Sequence, residues 1–505
     1  MGGQTPDFCR ARLDAMIDLR HPLAILSARL PWKDIEAALA PSLTKAVREY
    51  TLPSSTDLLG VTGGLVVVAG VSPAGRPRLP IRLMCALLYL KHAFNLSDEE
   101  LCERWAENVV WQYFSGMVYY EPRLPCDATQ IGRFRTDIGE AGLEAILKAT
   151  IDTAINTKAI KPTELTRVIV DTTVQEKAIA YPVDARLLEI ARYQIVKAPQ
   201  AVGIGLRQTF AKEGKQLRFK ASGYAHAKQF KRLKGTLRRQ RTIVGILIRE
   251  VRAKMSAAAE ANGNSGSNSN SGNSSNSSNS SNSSNSKLTT LLERAERLRT
   301  QQPKDKNKLY ALHAPEVECI SKGKARNRYE FGVKVSMVVT HKQGLMVGAK
   351  RFTGNPYDGH TLSAQLVQSN ALIKTAGRLI EQAFVDLGYR GVDKDNAGVE
   401  VIHRGRIKSM SQPRKKQLKR RQAIEPAIGH IKHDHRMIRC YLKGSMGDAL
   451  HAISCAAGYN IRWLMRAIVR LGLKGLFARV FLAAAISTLQ RSPFAWRWAI
   501  VKFTG

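Results

Sequence analysis

ELTRVIVDTT, Glu164 to Thr173, is the stretch on which the fold class turns. Val168, Ile169 and Val170 form a β-branched run, which packs well on a pleated surface and loses rotamer freedom in a helix. A short apolar run between polar residues reads as a buried strand. The run leads into Asp171, so the expectation is a strand with an acid at its exit. Strand patterns return at RYEFGVKVSMVVT (Arg328 to Thr340) and GLMVGAKRF (Gly344 to Phe352), joined as a hairpin by the short turn HKQ. GNPYDGHTL then opens a helix running towards Glu381. QAFVDLGYRG gives a short strand ending at Asp386, and VEVIHR (Val399 to Arg404) gives another. Strands alternating with helices place the chain in the α/β class.

A chain of 505 residues with 44% hydrophobic content can bury a large core and divides into several domains. Its formal charge of +37 and pI near 10.2 point to a polyanionic partner, most simply nucleic acid. An anionic membrane is the competing partner. No apolar run reaches the ~18 residues of a spanning helix, because Leu58 to Gly75 is broken by glycines and Pro73. The N-terminal MGGQTPDFCRARLD has no apolar signal core, so a cytoplasmic, nucleoid-associated protein is expected. The seven cysteines contain no C-x-x-C pair, which argues for reduced thiols and against a zinc ribbon. His430, His433 and His435 lack a cysteine partner and a suitable i,i+4 pair, and are read as lying along DNA rather than on zinc. GVTGGLVVVAG lacks the G-K-[ST] of a P-loop.

Residues 1–160 read as a helical N-terminal domain. Ser97 is an N-cap with Glu100 three residues on, and Asp127 is a second cap beside Arg133 and Arg135. Such a module is either a DNA-reading domain or a packed cap, and the total charge favours DNA. Trp105 and Trp111 fit core packing better than base stacking. Residues 161–200 begin the sheet domain, and 201–310 form a basic helical insertion. Within it, Arg207 to Glu260 holds fifteen Lys or Arg against three acids. Phe230, Leu237, Val244 and Val251 recur every seven residues, with Leu233 and Leu247 at the d spacing, as in a coiled coil. LTTLLERAERL supplies the second arm of a helical hairpin. The Asn/Ser tract at 262–286 has no apolar residue and is expected to be a disordered tip. Residues 311–465 complete the sheet domain, and 466–505 form a basic amphipathic tail.

RRQAIEPAIGHIKHDHRM, Arg420 to Met437, reads as a helix with Arg421, Glu425, Lys432 and Arg436 on one narrow arc. Its plainest reading is a basic surface helix in which Glu425 forms i,i+4 pairs. Pro426 requires the helix to start near Glu425 or to bend there, which places Glu425 where backbone amides favour anions. Asp171, Asp386 and Glu425 then converge beside one sheet, and like charges so placed need a cation. Oxygen-only ligands suit Mg²⁺ or Mn²⁺, and two ions about 3.5 to 4 Å apart can act on both sides of a phosphodiester. Asp184 and Asp358 are rival acids, of which Asp358 is better read as a turn or N-cap residue.

The order VDTT, a basic helical insert, YEFGVKVS, GNPYDGHTL, FVDLGYRG and RRQAIEPAIGHIKHDHRM resembles the DDE transposases of bacterial insertion sequences, in the group with the Y-x2-R-x3-E-x6-K signature. The resemblance runs from about Arg76 to Tyr459. It implies an RNase H-like catalytic core, a mixed sheet flanked by helices, with the helical hairpin inserted. It also implies Mg²⁺-dependent cleavage and joining of double-stranded DNA at the element's inverted repeats and target, by a homodimer or higher oligomer. The triad falls on Asp171, Asp386 and Glu425, which would be both catalytic residues and metal ligands. Arg421, Lys432, Arg436, Arg420 and Arg390 would contact DNA. Leu418 stands where the signature has tyrosine, so second-strand cleavage takes another route or uses another aromatic such as Tyr441. The alternatives are a catalytically inactive or structural DNA-binding protein, and a hydrolytic nuclease of the same fold that cuts without joining.

Overall fold

The computed structural model describes residues 11–43, 78–200, 203–263, 277–321, 328–391, 396 and 398–491. Cys9, the GVTGGLVVVAG stretch and the last fourteen residues of the tail lie outside them.

The strand β1 (Arg167–Glu176) is the centre of a six-stranded mixed sheet. Its partners are β2 (Glu318–Ile320), β3 (Glu330–Thr340), β4 (Met346–Phe352), β5 (Gln382–Phe384) and β6 (Glu400–Ile402), in the order β2-β3-β1-β5-β6, with β4 also on β3. β1 runs antiparallel to β3 from Val168↔Thr340 to Glu176↔Gly332, and parallel to β5 from Arg167↔Gln382 to Ile169↔Phe384. Asp171 is therefore mid-strand and not at a strand exit. The run continues because Thr172, Thr173 and Val174 are also suited to a strand and keep pairing with β3. Gly332 is required by this close pairing, since a Cβ there would lie 2.0 Å from the Gln175 carbonyl oxygen.

The helices are α1 (Leu13–Met16), α2 (Pro22–Arg29), α3 (Trp32–Leu43), α4 (Ile81–Ala93), α5 (Asp98–Glu107), α6 (Val109–Phe114), α7 (Ala128–Asn156), α8 (Asp184–Gln200), α9 (Ala211–His226), α10 (Phe230–Gly263), α11 (Ser277–Thr300), α12 (Asp358–Ile373), α13 (Gln412–Lys419), α14 (Ile424–His433) and α15 (Gly444–Arg491). Ser97 caps α5 by accepting from Glu100 N, and Asp127 caps α7 by accepting from Thr129 N. Trp105 and Trp111 are buried. α15 packs on α4, α7 and β4, so the N-terminal helices and the sheet share one continuous apolar core.

The segment between β1 and β2 forms a bundle of α8, α9, α10 and α11, where the sequence suggested a two-helix hairpin. α8, within the span 161–200 expected to begin the sheet domain, joins it through Leu187, Leu188, Ala191 and Ile195. The heptad positions Val244, Leu247 and Val251 face this separate core, while Phe230 is exposed. Four helices cover more apolar surface than one partner would. Of the Asn/Ser tract, residues 264–276 lie outside the described chain, but Ser277–Ser286 is helical, contrary to the expected disorder. Elongating a helix already nucleated by packed Leu288 and Leu292 is far easier than starting one.

Candidate active site

Two residues beyond the last parallel pair, Ile169↔Phe384, stand Asp171 on β1 and Asp386 after β5. The register alone thus brings both acids to the same end of adjacent parallel strands. The third acid arrives from α14, which lies against β1. α13 stops at Lys419, a 3₁₀ turn spans Arg420–Ala423, and α14 begins at Ile424. Pro426 explains the restart: without an N–H it cannot bond back to Gln422, so a regular helix does not run through. Glu425 sits in the first turn of α14. Ile424, Ala427 and Ile431 are buried and fix the helix in place.

Arg421, buried on the 3₁₀ turn, joins the three carboxylates. Its guanidinium lies 3.7 Å from Asp171 Oδ2, 4.0 Å from Asp386 Oδ1 and 3.5 Å from Glu425 Oε1. These distances exceed the ~2.7–2.9 Å of tight charge-assisted bonds. Arg421 therefore compensates the trio without saturating any one member. The side chains of Asp386 and Glu425 are 53% and 64% exposed, whereas that of Asp171 is 23% exposed, so the group opens to solvent on one side.

Asp358 begins α12 beside this group. Instead of capping the helix, its Oδ1 accepts from Thr172 Oγ1 at 2.8 Å and from Lys334 Nζ at 3.0 Å. Lys334 also bonds the Pro356 carbonyl. Tyr389 is buried nearby, and its hydroxyl pKa is raised by burial first, then by Asp171 and Asp358. The sequence reading missed Lys334. A lysine within the apolar run of β3 was the available signal, because a buried ammonium needs a partner.

The other expected contacts do not gather here. Arg420 turns the opposite way and donates to the carbonyls of His341 and Lys342. Arg390 is exposed after the Leu387–Tyr389 turn, with its Nε beside Gly405. Arg436 leaves the helical arc altogether: α14 ends at His433, and Arg436 has a left-handed φ of 71° and lies over Tyr441. Tyr441 is exposed, and Leu418 is buried in α13. Lys432 is half-buried in the last turn of α14. Asp184 starts α8 in the bundle, 3.8 Å from Arg241.

His435 is likewise not on the surface. Its Nδ1 donates to the His92 carbonyl at 2.9 Å, and burial lowers its pKa to about 4. It abuts a second cluster, formed by His92, His451 and Cys455, whose ligand-type atoms lie within 4.8 Å of one another. The Cys455 thiol donates to His92 Nδ1 at 3.5 Å, and His451 Nε2 donates to the Arg436 carbonyl at 3.0 Å. Burial pushes His451 down to about 3 and the Cys455 thiol well up. Lys91, Arg135 and Arg436 lie around it, an environment that opposes a cation. These bonds tie the exit of α14 to α4 and α15. Arg135, paired with Asp98 at 3.1 Å, is buried in the same region.

Residues 66–137 match the family described as "Transposase domain (DUF772)". The chain is also 39% identical over 224 residues to a Rhizobium meliloti protein described as "Uncharacterized protein ORF8 in nfe locus", an alignment covering 44% of this chain and 95% of that one. Over residues 66–137 the chain is thus similar to a transposase domain, and as a whole it belongs to the family of the Rhizobium protein. No solved structure matches it. In the described part of the chain, the transposase-domain match falls on α4, α5, α6 and the start of α7, which share the apolar core with the sheet. Among the described residues, no helix is long and apolar enough to cross a membrane.

Proposed function

We propose that this transposase-family chain is a DDE transposase of a bacterial insertion sequence, acting on the inverted repeats of its element through Asp171, Asp386 and Glu425. One observation carries the reading: three carboxylates from separate parts of the chain share a single buried guanidinium, Arg421. Stabilising a fold does not call for three like charges in one place. The mixed sheet flanked by helices, with acids just past its parallel pair, supports an RNase H-like core.

The donor set fits a hard divalent cation, being all oxygen and partly open to solvent. Bound there, Mg²⁺ or Mn²⁺, as two ions, would activate a water or 3′-hydroxyl and stabilise the leaving oxygen of a phosphodiester. The chain's own residues prepare that site. Asp171 is fixed by strand pairing on β3, Asp386 by the register of β5, and Glu425 by the anchored first turn of α14. Arg421 lies within 4.0 Å of all three carboxylates and offsets their mutual repulsion. The partner is duplex DNA, at the element ends and at the target, engaged by a dimer or larger assembly on the nucleoid.

The test is cleavage of the DNA flanking the gene by the purified full chain with Mg²⁺. Asp171→Asn, Asp386→Asn and Glu425→Gln should each abolish strand cleavage and leave DNA binding intact, because binding rests on the basic surface. Wild-type cleavage by any of them removes that residue from the site. Cleavage without any joined product would favour a hydrolytic nuclease.

A further inference from the structure

The opposite end of the same parallel strands carries a basic cleft. Arg167 begins β1, and Arg378 and Glu381 precede β5. The turn His341–Lys342 and helix α13 close the other sides, enclosing about 820 Å³. Six cations line it: Lys161, Arg167, Lys342, Arg378, Lys416 and Arg420, against only Glu164 and Glu381. Lys342 pairs with Glu164 at 3.0 Å, and Arg420 is committed to backbone carbonyls. Lys161, Arg167, Arg378 and Lys416 are exposed, and no ion pair engages them among the described residues. Asp171 lies four residues along β1 from Arg167, about 13 Å at ~3.3 Å per residue.

From this the geometry points to a second DNA-holding surface: the cleft between α13 and the amino ends of β1 and β5 grips the phosphate backbone of duplex DNA, apart from the stretch at the acids. It rests on the reading of the chain as acting on DNA. Four exposed cations without carboxylate partners repel one another, and a polyanion relieves that repulsion. A single small anion would leave most of so wide a cleft and its charges unused. His341 and Arg420 give it a rigid wall, since Nε2 of His341 donates to the Gln417 carbonyl at 2.9 Å while Arg420 bonds back to residues 341 and 342.

The experiment uses the full chain and a random-sequence 40-base-pair duplex. Lysine acylation should be suppressed at Lys161 and Lys416 when the duplex is bound. The triple variant Lys161→Glu, Arg378→Glu, Lys416→Glu should lower the slope of log affinity against log salt by about three, one unit per lost contact. Unprotected lysines with an unchanged slope overturn the proposal, as does protection by poly-glutamate but not by the duplex. If the triple variant fails to fold, the neutral set Lys161→Gln, Arg378→Gln, Lys416→Gln must still lower the slope, or the cleft is not a DNA surface. The acid variants separate the two readings: normal cleavage by them removes the transposase chemistry yet leaves the slope result standing. Normal binding by the cleft variants removes only the cleft.

Discussion

The acid trio and the His92–His451–Cys455 cluster each bring together three side chains of the types that bind metals, and surroundings separate them. The oxygen donors lie 3.5–4.0 Å from Arg421, and the side chains of Asp386 and Glu425 are more than half exposed. The nitrogen and sulfur donors are buried, neutral and bonded to one another or to backbone carbonyls. Proximity of ligand-type residues therefore says little alone. What counts is whether the group carries a charge that its environment leaves for something else to balance.

The largest effect should come from breaking the open cluster. Loss of one acid removes several kcal/mol of transition-state stabilisation, at least about a thousandfold in cleavage rate, with binding to a flanking-DNA duplex retained. Equal loss of binding and cleavage would mean that the acids hold the fold.

The closed cluster should answer to pH instead. His435 and His451 titrate near 4 and 3 in the folded chain, below the 6.5 of a free imidazole. The unfolded chain therefore takes up these protons first, so stability is full above about pH 6.5 and falls as pH drops towards 4. For His435 alone the full loss is on the order of 3 kcal/mol. Urea melts at pH 7.5, 5.5 and 4.5 should show this decline, and His435→Asn should flatten it. An unaltered slope in the variant would place the acid sensitivity elsewhere.

A smaller effect sharpens the role of Arg421. Arg421→Ala should reduce cleavage and yet lower the Mg²⁺ concentration for half-maximal rate several-fold, because one competing positive charge is gone. A merely structural arginine predicts a raised Mg²⁺ requirement. The smallest effect concerns the Asn/Ser tract: a short Gly/Ser loop in place of residues 264–276 should change stability by less than about 0.5 kcal/mol in the same melts.

The three acids were legible in the sequence because each sits beside a strongly patterned strand or a proline-marked helix start. Arg421 was legible as a neighbour of Glu425 but not as the shared partner of all three, since sequence does not give the approach of α14 to β1. Arg436 falls off the predicted arc because a helical wheel assumes an unbroken helix, whereas α14 ends at His433 and Arg436 itself is left-handed. Helix α8 was assigned to the sheet because its apolar face does not say which core it enters. His435 looked like a surface residue because its partner, the His92 carbonyl, lies 343 positions away.

The position of the bundle between β1 and β3 also governs how the chain can be made. β1 is complete at Glu176, but β3, its long antiparallel partner, begins only at Glu330. At the ~5–20 residues per second of synthesis, β1 waits about 8 to 30 s with an unpaired edge, a state prone to aggregation. The helices α8 to α11 emerge in that interval with a core of their own and can fold before the sheet exists. The strand that carries Asp171 is thus among the first parts of the site to be synthesised and among the last to be secured.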